Sequence, residues 1–152
     1  MAIKGEILLM ALAESEVTNL IDKIIEALNT ADIEGIVGVY FGDQEAFSAY
    51  PVICVGAPPL LNEEFPVMAG QVVRDEIYNI PILLYVEYAD TLANKKLLYN
   101  LTGAIKTALR KEYFSDYVYI INILQTRYAF AQKGDVSLRI SETTIKYRKR
   151  IS

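Results

Sequence analysis

The 152 residues include no histidine, no tryptophan and a single cysteine. Without histidine, Ser-His-Asp and Cys-His catalysis, the imidazole general base and every histidine-ligated metal site are excluded. Cys54 alone makes no intrachain disulfide and no zinc or iron–sulfur cage. It lies in the apolar run Tyr50–Val55 with no basic neighbour to lower its pKa, so a buried, unreactive thiol is expected. A lack of disulfides suits a reducing compartment. Neither G-x-x-x-x-G-K-[ST] nor G-x-G-x-x-G occurs, which removes those two phosphate cradles. No apolar run approaches the roughly 18–20 residues that a membrane-spanning helix needs, so a soluble protein is expected.

Hydrophobic residues make up 53% of the chain, ample for a core. No internal repeat, low-complexity tract or linker is visible, so one domain over residues 1–152 is expected; at this length folding buries roughly two-thirds of the unfolded surface. Charge is unevenly distributed. Residues 1–90 hold 15 acids and 3 bases, a net of −12, while residues 91–152 hold 4 acids and 12 bases, a net of +8. The overall net charge of −4 conceals this polarity. Asymmetry of this kind bears on partners rather than on fold: the halves neutralise each other within one molecule, or attract other copies head to tail.

The pattern predicts an α+β domain: a mostly antiparallel (mixed) sheet, two amphipathic helices on one face, and a long C-terminal hairpin. Val17, Leu20, Ile21, Ile24, Ile25 and Leu28 recur at helical spacing and predict a helix over about 15–29, with Ser15 placed to cap it. Upstream, Ile7–Ala13 resembles a short signal peptide, but Glu6 spoils the positive leader and the run is short, so it is expected to open a buried helix. Ile36–Phe41 and Tyr50–Gly56 have strand texture, and Ala57 to Pro66 reads as a loop. Glu76–Tyr88 reads as a long strand whose Pro81 points to an edge or a bulge. The second helix is expected from Thr91 to Lys111, with an apolar face of Leu97, Leu98, Leu101, Ile105, Ala108 and Leu109. Its other face is basic; Lys95 and Lys96 stand near the positive end of the helix dipole, where stability does not favour them. Tyr117–Ala131 and Val136–Arg148 are expected to form a hairpin turning at Gly134-Asp135. The apolar alternation Val136, Leu138, Ile140 changes phase before Ile145 and Tyr147, which predicts a bulge across Glu142–Thr144.

The acidic pairs Glu63-Glu64 and Asp75-Glu76 are the main material for acid–base or metal chemistry. Neighbours on a strand point to opposite faces, so neither pair is a two-carboxylate site by itself, and solvated acids are the simpler reading. No catalytic residue, metal ligand or cofactor site is assigned. Eleven tyrosines could stack bases, but a pI near 4.9 opposes a dedicated nucleic-acid binder, and half-buried strand or interface positions suit them better. The tail Lys146-Tyr147-Arg148-Lys149-Arg150 has three readings: a phosphate-binding patch, a frayed terminus, or a basic surface that docks on the acidic surface of another subunit. The third is preferred. The candidate interface is accordingly Lys95, Lys96, Lys106, Lys146, Arg148, Lys149 and Arg150 on the basic side, with Glu63, Glu64, Asp75 and Glu76 on the acidic side.

The layout resembles the tail-terminator and tail-completion proteins of tailed-phage necks. The features that carry the likeness are the opening helix Val17–Leu28, the strand and proline-containing loop Tyr50–Pro59, the strand IPILLYVEYAD over Ile80–Asp90 running directly into the helix Leu92–Lys111, and the closing hairpin ending TTIKYRKR. The resemblance covers nearly the whole chain and implies a non-enzymatic virion protein. It implies a ring, hexameric in that family, that caps the tail tube at the head–tail junction and offers a surface to head connector or completion proteins. DNA passes through such a ring without being read, and assembly takes place in the host cytoplasm. Head-completion proteins share this neighbourhood and are the alternative. From other classes, a carboxylate- or metal-dependent enzyme and a nucleic-acid-binding module remain open.

Overall fold

In the computed structural model, residues 18–56, 61–64, 67–68, 70–72, 74–110 and 120–151 are described. Helix α1 covers residues 18–31. The strands follow as β1 (Gly38–Phe41), β2 (Val52–Val55), β3 (Leu61–Glu64), β4 (Val67–Met68), β5 (Gln71–Val72) and β6 (Arg74–Glu87). Then come helix α2 (Leu92–Arg110) and the hairpin strands β7 (Ile120–Lys133) and β8 (Val136–Ile151). One mixed sheet has the order β1-β2-β6-β8-β7, with β3 also paired to β6; β4 and β5 form a separate small ribbon. β1 runs parallel to β2, and every other pairing is antiparallel. This is the expected α+β architecture. The Ser15 cap, the segment Ile7–Ala13, the prolines Pro58 and Pro59, Lys111 and the first residues of the predicted hairpin strand lie outside the described residues.

Both helices pack on one face of the sheet. Leu20, Ile21, Ile24 and Leu28 of α1, with Leu98, Leu101, Ile105 and Leu109 of α2, share a core with Ile53, Val55, Tyr78, Ile80, Ile82, Leu84, Val86, Ile145 and Tyr147. Full burial of one such aliphatic side chain contributes about 1.5–3 kcal/mol. The opposite face has a smaller core at one end: Val52, Cys54, Tyr85 and Leu138 are covered by Tyr40, Phe47 and Tyr50. Cys54 is fully buried, and burial pushes its thiol pKa up to about 12. The second core is pinned by Asp43. Its carboxylate accepts a hydrogen bond from Tyr85 Oη at 2.7 Å and lies 3.1 Å from Lys133 Nζ, which also donates to the Gln44 carbonyl. Partial burial works to raise the Asp43 pKa, but the bonds from Tyr85, Lys133 and the Gln44 N–H, with the Lys133 charge, outweigh it and hold it below the usual value.

Four expectations are corrected. Leu61–Glu64 is not loop but strand β3, paired with β6 at Tyr78–Asp75. Pro81 lies in β6, an interior strand. Gly56 N–H donates to the Pro81 carbonyl at 2.9 Å, so the Pro81 nitrogen faces the same side, into the gap between the end of β2 and the start of β3, where no donor is needed. The phase change in β8 is not a bulge. Burial alternates without a break from Arg139 through Ser141, Thr143 and Ile145 to Tyr147, all on the helix face. Val136, Leu138 and Ile140 belong to the opposite face and its own core. The register shift sits instead in β7, between Ile123 and Gln125, opposite Ile145 and Thr144. Finally, Leu97 of α2 is exposed, while Thr102 is buried; its Oγ1 donates to the Leu98 carbonyl at 2.7 Å and lies 2.7 Å from Ser141 Oγ.

Candidate assembly interface

The strand register divides the basic candidates into two groups. In the first, β8 runs beside β6 so that Lys146, Arg148, Lys149 and Arg150 stand opposite Asn79, Ile77, Glu76 and Asp75. On the other side of β6, Glu63 stands opposite Glu76 and Glu64 opposite Asp75. The two acidic pairs and the tail are therefore brought into one corner of the sheet, with each row reading acid, acid, base. Asp75 is fully buried, and the Arg148 guanidinium is 3.8 Å from its carboxylate. Glu76 accepts a hydrogen bond from Tyr78 Oη and lies 3.6 Å from Arg74. The tail continues as strand to Ile151 rather than ending in a frayed terminus.

The second group is on α2. Lys95 and Lys96 are exposed and Lys106 is half-buried. Among the described residues, none of the three has a carboxylate within ion-pair distance. Thr91 starts this helix, its Oγ1 accepting from Asn94 N–H at 3.1 Å, and no acid occurs anywhere in Leu92–Arg110. β7, beside it, also contains no acid. At the other edge of the sheet the reverse holds. Asp22 and Glu26 of α1, with Asp32, Glu34 and Glu45 around β1, are all exposed, and Lys23 is the one base on these elements; Asp43, also exposed, is paired with Lys133 of β7.

Sequence reasoning missed the apolar part of the basic edge. Phe130 is 70% exposed and Tyr128 48% exposed on β7. Tyr128 meets Tyr99 of α2 edge-on at 5.1 Å, and Phe130 meets Tyr88 at 5.9 Å. Arg139 is buried between the latter two rings, 4.7 Å from the Tyr88 centroid and 5.3 Å from Phe130. Its Nε donates to Asn94 Oδ1 at 2.6 Å, tying β8 to the first turn of α2. An aromatic–guanidinium–aromatic stack with an exposed outer ring has the composition of an interface hot spot. The signal lay in the strand alternation of Tyr128 and Phe130, which is legible only once β7 is known to be an edge.

Among the described residues no group of three or more His, Cys, Asp or Glu is placed to hold a metal ion, and no helix is long and apolar enough to cross a membrane. No family model matches the chain, and no curated protein matches it. Among solved structures, it is similar to a chain of the structure described as "Virion of native gene transfer agent (GTA) particle", with 13% identity over 84% of each chain and a TM-score of 0.45.

Proposed function

We propose that this chain is a non-enzymatic structural protein of a tailed-phage virion, acting as one domain. Its copies close into a ring, hexameric as in the tail-terminator proteins whose layout it resembles, that caps the tail tube at the head–tail junction and receives the head. One observation carries the assembly reading: exposed acids stand around α1 and β1 at one edge of the sheet and bases on α2 towards the other, with no compensating partner for Lys95, Lys96 or Lys106 among the described residues. Two different patches on one subunit make a heterologous contact, which closes when the rotation per step divides a full turn. The neck position rests on the resemblance in layout, and a head-completion ring is the alternative within it. The partners are then other copies, the tail-tube protein and the head connector or completion proteins, with DNA passing through the lumen unread.

Native mass spectrometry at micromolar concentration, alone and with tail tubes, tests this. A closed multiple of the 17.1 kDa subunit is expected. A strict monomer under both conditions overturns it. DNA binding is expected to vanish at physiological salt; tight, salt-steep binding would favour the nucleic-acid reading instead.

A further inference from the structure

We propose that the seam of this ring is a strand pairing, in which β7 of one copy pairs antiparallel with β1 of the next, so that the sheet continues from subunit to subunit with every helix on the same face. The inference rests on the ring reading above and adds the surface that makes the ring.

Among the described residues, the sheet order leaves β1 and β7 as the two outer strands. Counting directions across the sheet, β1 and β2 run one way, β6 the other, β8 with β1, and β7 against it. A second copy placed edge to edge, with the same strand axis and the same face turned to the helices, therefore offers β1 antiparallel to β7. That is the pairing which alternates side chains cleanly between faces. The two edges also lie at one level. Gly38 aligns through Val52, Tyr85 and Ile140 with Ala129, and Phe41 aligns through Val55, Ile82 and Thr143 with Thr126. The four residues of β1 thus stand level with Thr126–Ala129, the part of β7 beyond its register shift.

Side chains agree with the backbone. Val39 packs into the helix-side core, and Val37 and Phe41, two positions either way, are 55% and 50% exposed. Across the seam Val37 would meet Phe130, and Phe41 would meet Thr126 with the exposed Tyr128 on its diagonal, all on that same face. Above the sheet, Lys95 and Lys96 precede Tyr99 by one helical turn and so share its side of α2. The helix facing them from the next copy is α1, with Asp22 and Glu26 exposed. Apolar, unprotected edge strands are ones that proteins ordinarily cover or charge, and this edge is uncharged on its helix face.

The test uses the full chain and two variants, each damaging one edge. Val37→Arg with Phe41→Arg puts positive charge against the basic flank; Tyr128→Glu with Phe130→Glu puts negative charge against the acidic one. Each variant is expected to lose the ring and run as a single 17.1 kDa species. Mixed together, they are expected to restore rings of alternating copies, because one seam is intact and the other sets the introduced arginines against the introduced glutamates. Should either variant melt early, Lys95→Glu with Lys96→Glu on the exposed helix surface gives the same mass readout for the basic edge. Wild-type rings that persist in both edge variants overturn the strand seam and leave the ring reading standing. A mixture that stays monomeric also overturns the seam. A wild-type monomer under all conditions overturns the ring reading and the seam together.

Discussion

The basic end of β8 and the basic face of α2 come from the same half of the sequence, yet their surroundings differ completely. On β8, Lys149 and Arg150 stand opposite Glu76 and Asp75, and Arg148 reaches the buried Asp75 carboxylate. On α2, Lys95, Lys96 and Lys106 have no carboxylate within ion-pair distance among the described residues. Polarity along a chain is therefore two quantities. One part is consumed by strand register and belongs to folding. The other is left on the surface, where it acts on partners. Net charge counts cannot separate them, because separation depends on which strands are neighbours.

Arg148 offers the sharpest way to break this comparison. Removing one partner of a buried pair leaves an uncompensated charge, at a cost of about 3–5 kcal/mol. Because Arg148 is partly exposed, 3.8 Å away and not the sole group that Asp75 engages, Arg148→Met is expected to cost about 2–3 kcal/mol, below that range, in chemical denaturation. Loss of under about 0.5 kcal/mol, the size of an ordinary surface substitution, would show that Asp75 is satisfied without it. Next in size is Lys149→Glu with Arg150→Glu. Both rows then become wholly acidic: Glu63 and Glu76 share one with the new carboxylate at position 149, and Glu64 and Asp75 share the other with that at position 150. Like charges directly opposite are destabilising, here by about 1–2 kcal/mol for the pair of rows. A variant of unchanged stability that fails to assemble would return the tail to the interface.

How much of this was legible beforehand follows the same division. The amphipathic stripes of α1 and α2 and the Gly134 turn, with φ of 60°, are local, and periodicity and turn chemistry showed them. What depended on distant neighbours was not legible. Pro81 reads as an edge residue until the gap between β2 and β3 is seen beside it. The apolar residues of β8 read as a phase slip because the two faces of that strand are covered at different ends by different cores. Glu63-Glu64 and Asp75-Glu76 were recognised as pairs, and their spacing along the chain correctly placed neighbours on opposite faces. Their alignment across β3 and β6, with the tail as third member, is a matter of register. The exposed ladder of Tyr99, Tyr128 and Phe130 was invisible for the same reason: apolar alternation on a strand signals burial unless the strand is known to be outermost.

A smaller effect belongs to Asp43, whose exposed carboxylate nonetheless holds the second core. Its folded pKa is depressed, so its contribution is present above the unfolded value and is lost as pH falls through the folded one. Solvent screening at this half-exposed site limits the effect to about 0.2–1 kcal/mol. Asp43→Asn should therefore lower the melting midpoint at pH 7, and the gap between variant and wild type should close as pH is lowered through the acid range. No gap at any pH would mean that the Tyr85 hydrogen bond, which an amide oxygen also accepts, accounts for the whole contribution.

The smallest effect on folding is expected where the largest effect on assembly is. Lys95 and Lys96 lie near the start of α2, where positive charge opposes the helix dipole, and neither is held by an acid. Lys95→Glu with Lys96→Glu should leave the fold unharmed or stabilise it by about 0.3 kcal/mol, since the favourable interaction with the helix N-terminus falls off beyond the first turn. Tyr99, one turn further along the same side, and the β7 ladder beneath it are untouched by the substitution. Ring formation, which sets this flank against Asp22 and Glu26 of the next copy, should be lost at physiological salt. Opposite signs in one variant, a fold gained and an assembly lost, are difficult to produce by misfolding. If the melting midpoint falls and the ring survives, the lysines are serving the subunit, and the surface charge on α2 has to be explained from within it.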